Sequence, residues 1–137
     1  MVQQPAVLTL SFPPTTGLSA SVAVMVETFL RELAADRAVR DVAVLTVREL
    51  LENIADHSGG AVGFLLIGVQ TTKSGHRVQI KTRNPATEAH YERARGAIAA
   101  PLENGSAVSG LGRIRHEQRL SLELEFDGHE LEFRVQV

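Results

Sequence analysis

Cysteine is absent from the 137-residue chain, which removes disulfides, thiolate zinc sites and cysteine nucleophiles from consideration. That absence fits a reducing compartment. An excess of positive charge is missing too. The formal net charge of -2 argues against a chain built to coat nucleic acid or anionic lipid. No stretch approaches the roughly 18 uninterrupted apolar residues of a membrane-spanning helix. The opening MVQQPAVLTLSF lacks the basic region and apolar run of a secretory signal. There is no internal repeat and no linker-like stretch, so the expectation is one cytoplasmic domain over 1–137.

What the chain does have is apolar residues, at 44%, enough for a substantial core. AVLTLSF alternates apolar and polar residues and reads as a strand closed by Pro13 and Pro14. A helix follows, capped by Ser19 or Ser21, with Val22, Met25, Val26, Phe29, Leu30 and Leu33 on its apolar side. After the polar connector ADRAVRD, a second helix is expected from about Val42 to His57, ended by SGG. AVGFLLIGVQ reads as a buried strand, hairpinned through KSG to HRVQIKTR and stopped by Asn84-Pro85. Residues 86–100 read as an alanine-rich helix and PLENGSAVSGLG as a loop. LSLELEF and HELEFRVQV flank Asp127-Gly128, a turn suited to positive backbone angles. Hairpins with helices between them predict an α+β sandwich, its mixed, mostly antiparallel sheet covered by helices on one face.

The second helix raises the functional question. Val47, Leu50, Leu51 and Ile54 form its core stripe, while Glu49, Asn53 and His57 recur at four-residue steps. That polar row lines the rim of a cleft, or it belongs to a solvated face with Arg48, Glu52 and Asp56. Spacing alone favours the solvated face.

Glu-x-x-x-Asn-x-x-x-His resembles the N box of the histidine-kinase-like ATPases, the superfamily that includes bacterial anti-sigma-factor serine kinases. The resemblance implies that Asn53 ligates magnesium and that Glu49 is the catalytic base. His57 would stay near the phosphates or cap its helix. Oxygen ligands beside phosphate suit a hard divalent cation, and a neighbouring carboxylate can accept a hydroxyl proton. SGLGRI, residues 109–114, resembles the glycine-rich G2 box, making Gly110, Leu111, Gly112 and Arg113 candidate nucleotide contacts. Arg113 stands where an apolar residue is common. The superfamily's Asp-x-Gly-x-Gly is replaced by Asn84-Pro85-Ala86, so Asn84 takes the place of the adenine-binding aspartate, as a neutral acceptor.

Asn-Pro after the hairpin, the ELLEN context and the compact Gly-Leu-Gly are similar to small switch kinases of the SiaB type. The resemblance implies a Bergerat-type ATPase fold, ATP and magnesium as cofactors, and serine/threonine kinase activity in partner switching. Its substrate would be a small anti-anti-sigma-like, STAS-like protein, and a homodimer is a candidate assembly. The degenerate box leaves an alternative open: a catalytically inactive adaptor that regulates its partner by binding.

Other features carry less. The five histidines include no pair at zinc-site helical spacing. GRIRHEQR concentrates Arg113, Arg115, His116 and Arg119, but a charged run paired with Glu117 ordinarily faces solvent. Tyr91, the single tyrosine, reads as a packing residue rather than an adenine platform.

Overall fold

A computed structural model describes residues 6–13, 15–33, 36–57, 62–107 and 109–137, apart from the side chains of 16 and 57. The elements run β1 (Ala6–Phe12), α1 (Thr16–Glu32), α2 (Arg37–His57), β2 (Gly63–Thr72) and β3 (Gly75–Pro85). They continue with α3 (Glu88–Ala99), α4 (Gly110–Gly112), a π-helical turn (Arg113–Glu117), β4 (Ser121–Phe126) and β5 (Glu130–Gln136). One five-stranded sheet has the order β1-β2-β3-β5-β4. Every pairing between these strands is antiparallel, so the expected mixed sheet is corrected. Hairpins join β2 to β3 and β4 to β5, and no parallel crossover is needed.

Alternation puts one side of each strand inward. Ile67, Ile80, Val135 and Leu122 lie in one row across four strands, beside a second row of Leu10, Leu65, Thr82, Phe133 and Leu124. The two long helices close over these rows with Val22, Val26 and Leu30 of α1 and Val47, Leu50, Leu51 and Ile54 of α2. All of the α2 stripe is fully buried. The opposite sheet face carries charged pairs, including Arg134 with Glu123, Glu125 and Glu132. The result is the expected two-layer α+β sandwich. No helix among the described residues is long and apolar enough to cross a membrane.

Several boundaries differ from the sequence expectation. The α1 cap is Thr15, not Ser19 or Ser21; its hydroxyl accepts from the Leu18 amide at 3.2 Å. Ser21 instead donates to the Gly17 carbonyl, and Ser19 is buried. Met25 is 44% exposed because Ser19, Val22, Ala23, Val26 and Leu30 already form the inward stripe. Helix α2 begins at Arg37 rather than Val42, since Asp36 Oδ1 accepts from the amides of Ala38 and Val39. The SGG expected to end it lies outside the described residues.

β3 ends at Asn84-Pro85 as expected, with both residues still paired inside the strand. Pro85 pairs with Glu130 as the final residue, where its missing donor costs no ladder bond, and the next amide, Ala86, donates to the His129 carbonyl at 3.0 Å. In the last hairpin only Gly128 has positive φ, at 95°. Asp127 uses its carboxylate instead, accepting from the amides of His129 and Glu130 at 2.8 and 2.7 Å.

Candidate functional site

A cavity of about 430 Å³ opens between α2, α3 and the Gly110 turn. Its size falls in the range of ordinary small-molecule sites, roughly 300–1,000 Å³. Each wall has a local cause. On α2, core burial of Val47, Leu50, Leu51 and Ile54 rotates Glu49 and Asn53 to the helix flank, where both line the cavity. On β3, the pleat that turns Ile80 and Thr82 inward turns Asn84 inward too, at 3% exposure. On α3, His90, Arg93, Ala94 and Ala97 share the facing side, and Thr87 caps the helix by accepting from the His90 amide.

The far wall is the 109–114 segment. PLENGSAVSGLG, expected to be loop throughout, ends in a helical turn because Ser109 caps it: its hydroxyl accepts from the Gly112 amide at 3.0 Å. The following Arg113–Glu117 π-turn is pinned by fully buried Ile114. Its His116 Nε2 bonds the Ile98 carbonyl at 2.7 Å, and Glu117 accepts from the Ala107 amide. The run expected as a solvated helix face is therefore partly structural, while Arg115 and Arg119 are exposed.

Of the sequence-predicted residues, Glu49, Asn53, Asn84, Gly110, Leu111 and Arg113 meet around this cavity. Gly112 is not in its lining. With its amide given to Ser109, and a β-carbon there meeting Ser109 Oγ at 3.1 Å and Ala107 at 3.2 Å, Gly112 serves turn packing. The His57 side chain lies outside the described residues, so neither its phosphate nor its capping role is assigned. Tyr91 packs as expected, stacked on Phe126 with centroids 5.2 Å apart.

Sequence reasoning missed Glu52, Asp56, His90 and Arg93 as lining residues. The last two were available from helical spacing, since His90, Arg93, Ala94 and Ala97 fall on one face. It also missed the main electrostatic feature. Arg113 Nε donates to Glu49 Oε1 at 2.9 Å, and Nη2 donates to Oε2 at 3.1 Å. This bidentate pair is the strong form of an ion pair. It raises the Arg113 pKa, chiefly through the hydrogen bonds to Glu49 and against the opposing effect of partial burial.

The remaining polar atoms test what the cavity suits. Asn84 Nδ2 donates to the Pro85 carbonyl at 3.0 Å, leaving Oδ1 buried with no donor among the described residues. An orphaned inward acceptor suits an amino group such as that of adenine. Asn53 offers an amide oxygen beside the carboxylates of Glu52 and Asp56. No cluster of three or more His, Cys, Asp and Glu residues among those described could hold a metal alone. A magnesium ion would draw its other ligands from phosphate and water, as this ion commonly does. The donor set fits a magnesium nucleotide, with Gly112 removed from the expected phosphate contacts.

These features define a two-layer α/β sandwich with a cavity between its second helix and a glycine turn. Solved structures share the fold, among them the following two. A chain in the crystal structure of the SiaB-SiaC complex from Pseudomonas aeruginosa matches with a TM-score of 0.68 and 11% identity, covering 95% of this chain and 89% of that one. The crystal structure of the RsbU and RsbW domains of Rv1364c from Mycobacterium tuberculosis matches with a TM-score of 0.59 and 13% identity. There the match covers 96% of this chain but 32% of the other, so this chain spans about a third of that protein's length. At such identities the likeness establishes the fold. No protein-family model and no curated protein matches the sequence.

Proposed function

We propose that this chain is an ATP- and magnesium-dependent serine/threonine kinase of a partner-switching system, acting on a small STAS-like protein. One observation carries the reading: Glu49, Asn53 and Asn84 border a single cavity opposite the Gly110 turn. Asn84 Oδ1 receives the adenine amino group. Asn53 holds magnesium, which neutralises phosphate charge when bound. Glu49 takes the proton of the partner's hydroxyl as that oxygen bonds the terminal phosphorus and ADP departs with the bridging oxygen. Positioning and charge neutralisation supply most of such catalysis. The SiaB-SiaC likeness supports a protein partner, since that structure is a complex. On this reading the protein works in the cytoplasm, and a homodimer is the assembly to test by light scattering.

A second reading, the non-catalytic adaptor, is favoured by a specific observation: both oxygens of the candidate base are engaged by Arg113. The loss of Asp-x-Gly-x-Gly points the same way. Calorimetric titration with magnesium and ATP separates the readings at their first step. Binding at or below millimolar nucleotide is expected, and no heat at that concentration sinks the kinase. Pull-down of the native partner with and without ATP, followed by labelled-phosphate transfer, then distinguishes a kinase from an ATP-sensing adaptor.

A further inference from the structure

Glu49 and Arg113 come from different elements, α2 and the π-turn, and meet at the cavity wall. We propose that their pair is an exchangeable latch: Arg113 leaves the Glu49 carboxylate for the terminal phosphate of a bound nucleoside triphosphate, uncovering Glu49 as proton acceptor. The inference rests on the nucleotide-binding reading above and adds a control step to it.

The two partners are unequally held. The Glu49 side chain is 12% exposed and Arg113 44%. Glu49 is wedged beside Gly110, where even a β-carbon would collide with its carboxylate. Arg113 reaches its partner from the solvent side on a long flexible stem. Of the two, the arginine is the one able to move. Its planar fork matches carboxylate and phosphate alike, so the two anions compete for the same donors.

The pairing also has a chemical consequence. Both Glu49 oxygens are taken up by the guanidinium, so neither is presented to an incoming hydroxyl. Glu49 is thus masked while the latch is closed. Releasing Arg113 leaves Glu49 near Glu52 and Asp56 on the same cavity wall, with His90 and Arg93 facing them from α3. Uncovering that acidic wall is unfavourable without a replacement cation. Magnesium at Asn53 would supply it, so opening is tied to arrival of the metal-bound triphosphate. Adenosine, with no phosphate, should leave the latch closed.

The test is a calorimetric cycle with magnesium–ATP on the parent, Glu49→Gln, Arg113→Ala and the double variant, with adenosine as the second ligand. Glu49→Gln frees Arg113, so ATP should bind about five- to tenfold tighter while adenosine affinity stays unchanged. The gain should vanish on the Arg113→Ala background. Glu49→Asp keeps the charge but withdraws it by one methylene. It should shift ATP affinity in the same direction, and it replaces the glutamine variant if that variant does not fold. ATP bound equally by parent and Glu49→Gln overturns the latch and leaves nucleotide binding standing. A gain that persists without Arg113 also overturns it, since lost carboxylate repulsion would then be the cause. No ATP binding by any variant overturns both the latch and the function on which it rests.

Discussion

The carboxylate of Glu49 fills the space that a β-carbon on Gly110 would take. This glycine is fixed by a neighbour from another helix, and its φ is not in the positive region. Gly110→Ala must therefore push Glu49 off its position. Helix propensity alone would favour alanine by about 0.5–1 kcal/mol, but overpacking costs about 1–3 kcal/mol. The expected outcome is a net loss of about 1 kcal/mol in denaturant unfolding. On an Arg113→Ala background the loss should shrink, because Glu49 is then free to turn away. An equally large loss there would show that the ion pair does not hold the carboxylate in place.

Asn53→Ala should leave the fold intact, since the side chain is half-buried and outside the α2 core stripe. Under the kinase reading it should lower phosphoryl transfer by about 100- to 1,000-fold, the usual effect of removing one preorganised electrostatic group. Single-turnover assays with labelled ATP and the native partner measure it. A variant as fast as the parent removes Asn53 from the mechanism.

Asn84 offers a two-sided prediction. Asn84→Leu removes the unpaired acceptor and should weaken ATP about tenfold, one hydrogen bond's worth. Asn84→Asp restores a charged acceptor and should tighten ATP by a similar factor. With no ligand, however, the aspartate variant should melt below the parent, because a carboxylate is buried without a cation. Titration calorimetry and thermal melts read the two effects separately. If Asn84→Leu binds as well as the parent, adenine does not sit at Asn84.

The last hairpin predicts a pH dependence. Two backbone amides, from Glu130 and His129, lower the Asp127 pKa below its ordinary value. A depressed folded-state value stabilises the fold above the unfolded value of about 3.9 and loses that contribution as pH falls through the folded one. Asp127→Asn should therefore melt slightly below the parent at pH 7, and the two should converge in acid below that folded value. A gap that stays constant down to pH 2 would assign the effect to side-chain shape instead of charge.

The α2 stripe was legible in the sequence because Val47, Leu50, Leu51 and Ile54 obey a single period against one core. The final hairpin was legible because alternation and Asp-Gly agree. Element starts were less so. Thr15 and Asp36 cap their helices through side-chain bonds, while the expectation was Ser19 or Ser21 and a polar connector. Asn-Pro did mark the end of β3, because proline can close a strand whose last residue needs no donor. At the site, spacing turned Glu49 and Asn53 the same way, but it could not bring Arg113 to Glu49. That pairing crosses 64 positions and depends on Ser109 and Ile114 to seat the π-turn. No local period encodes such a contact.

Helix α3 is fastened at both ends. The Ala86–His129 backbone bond and the Tyr91–Phe126 stack hold its start, and His116 grips the Ile98 carbonyl near its finish. That side of the hollow behaves as a mould and not as a jaw. The ordering cost of α3 is met when the chain folds, so a guest forfeits little protein freedom on arriving there. Differences in affinity among guests should then follow how well each matches a preset shape, and amide exchange along α3 should barely change when one binds.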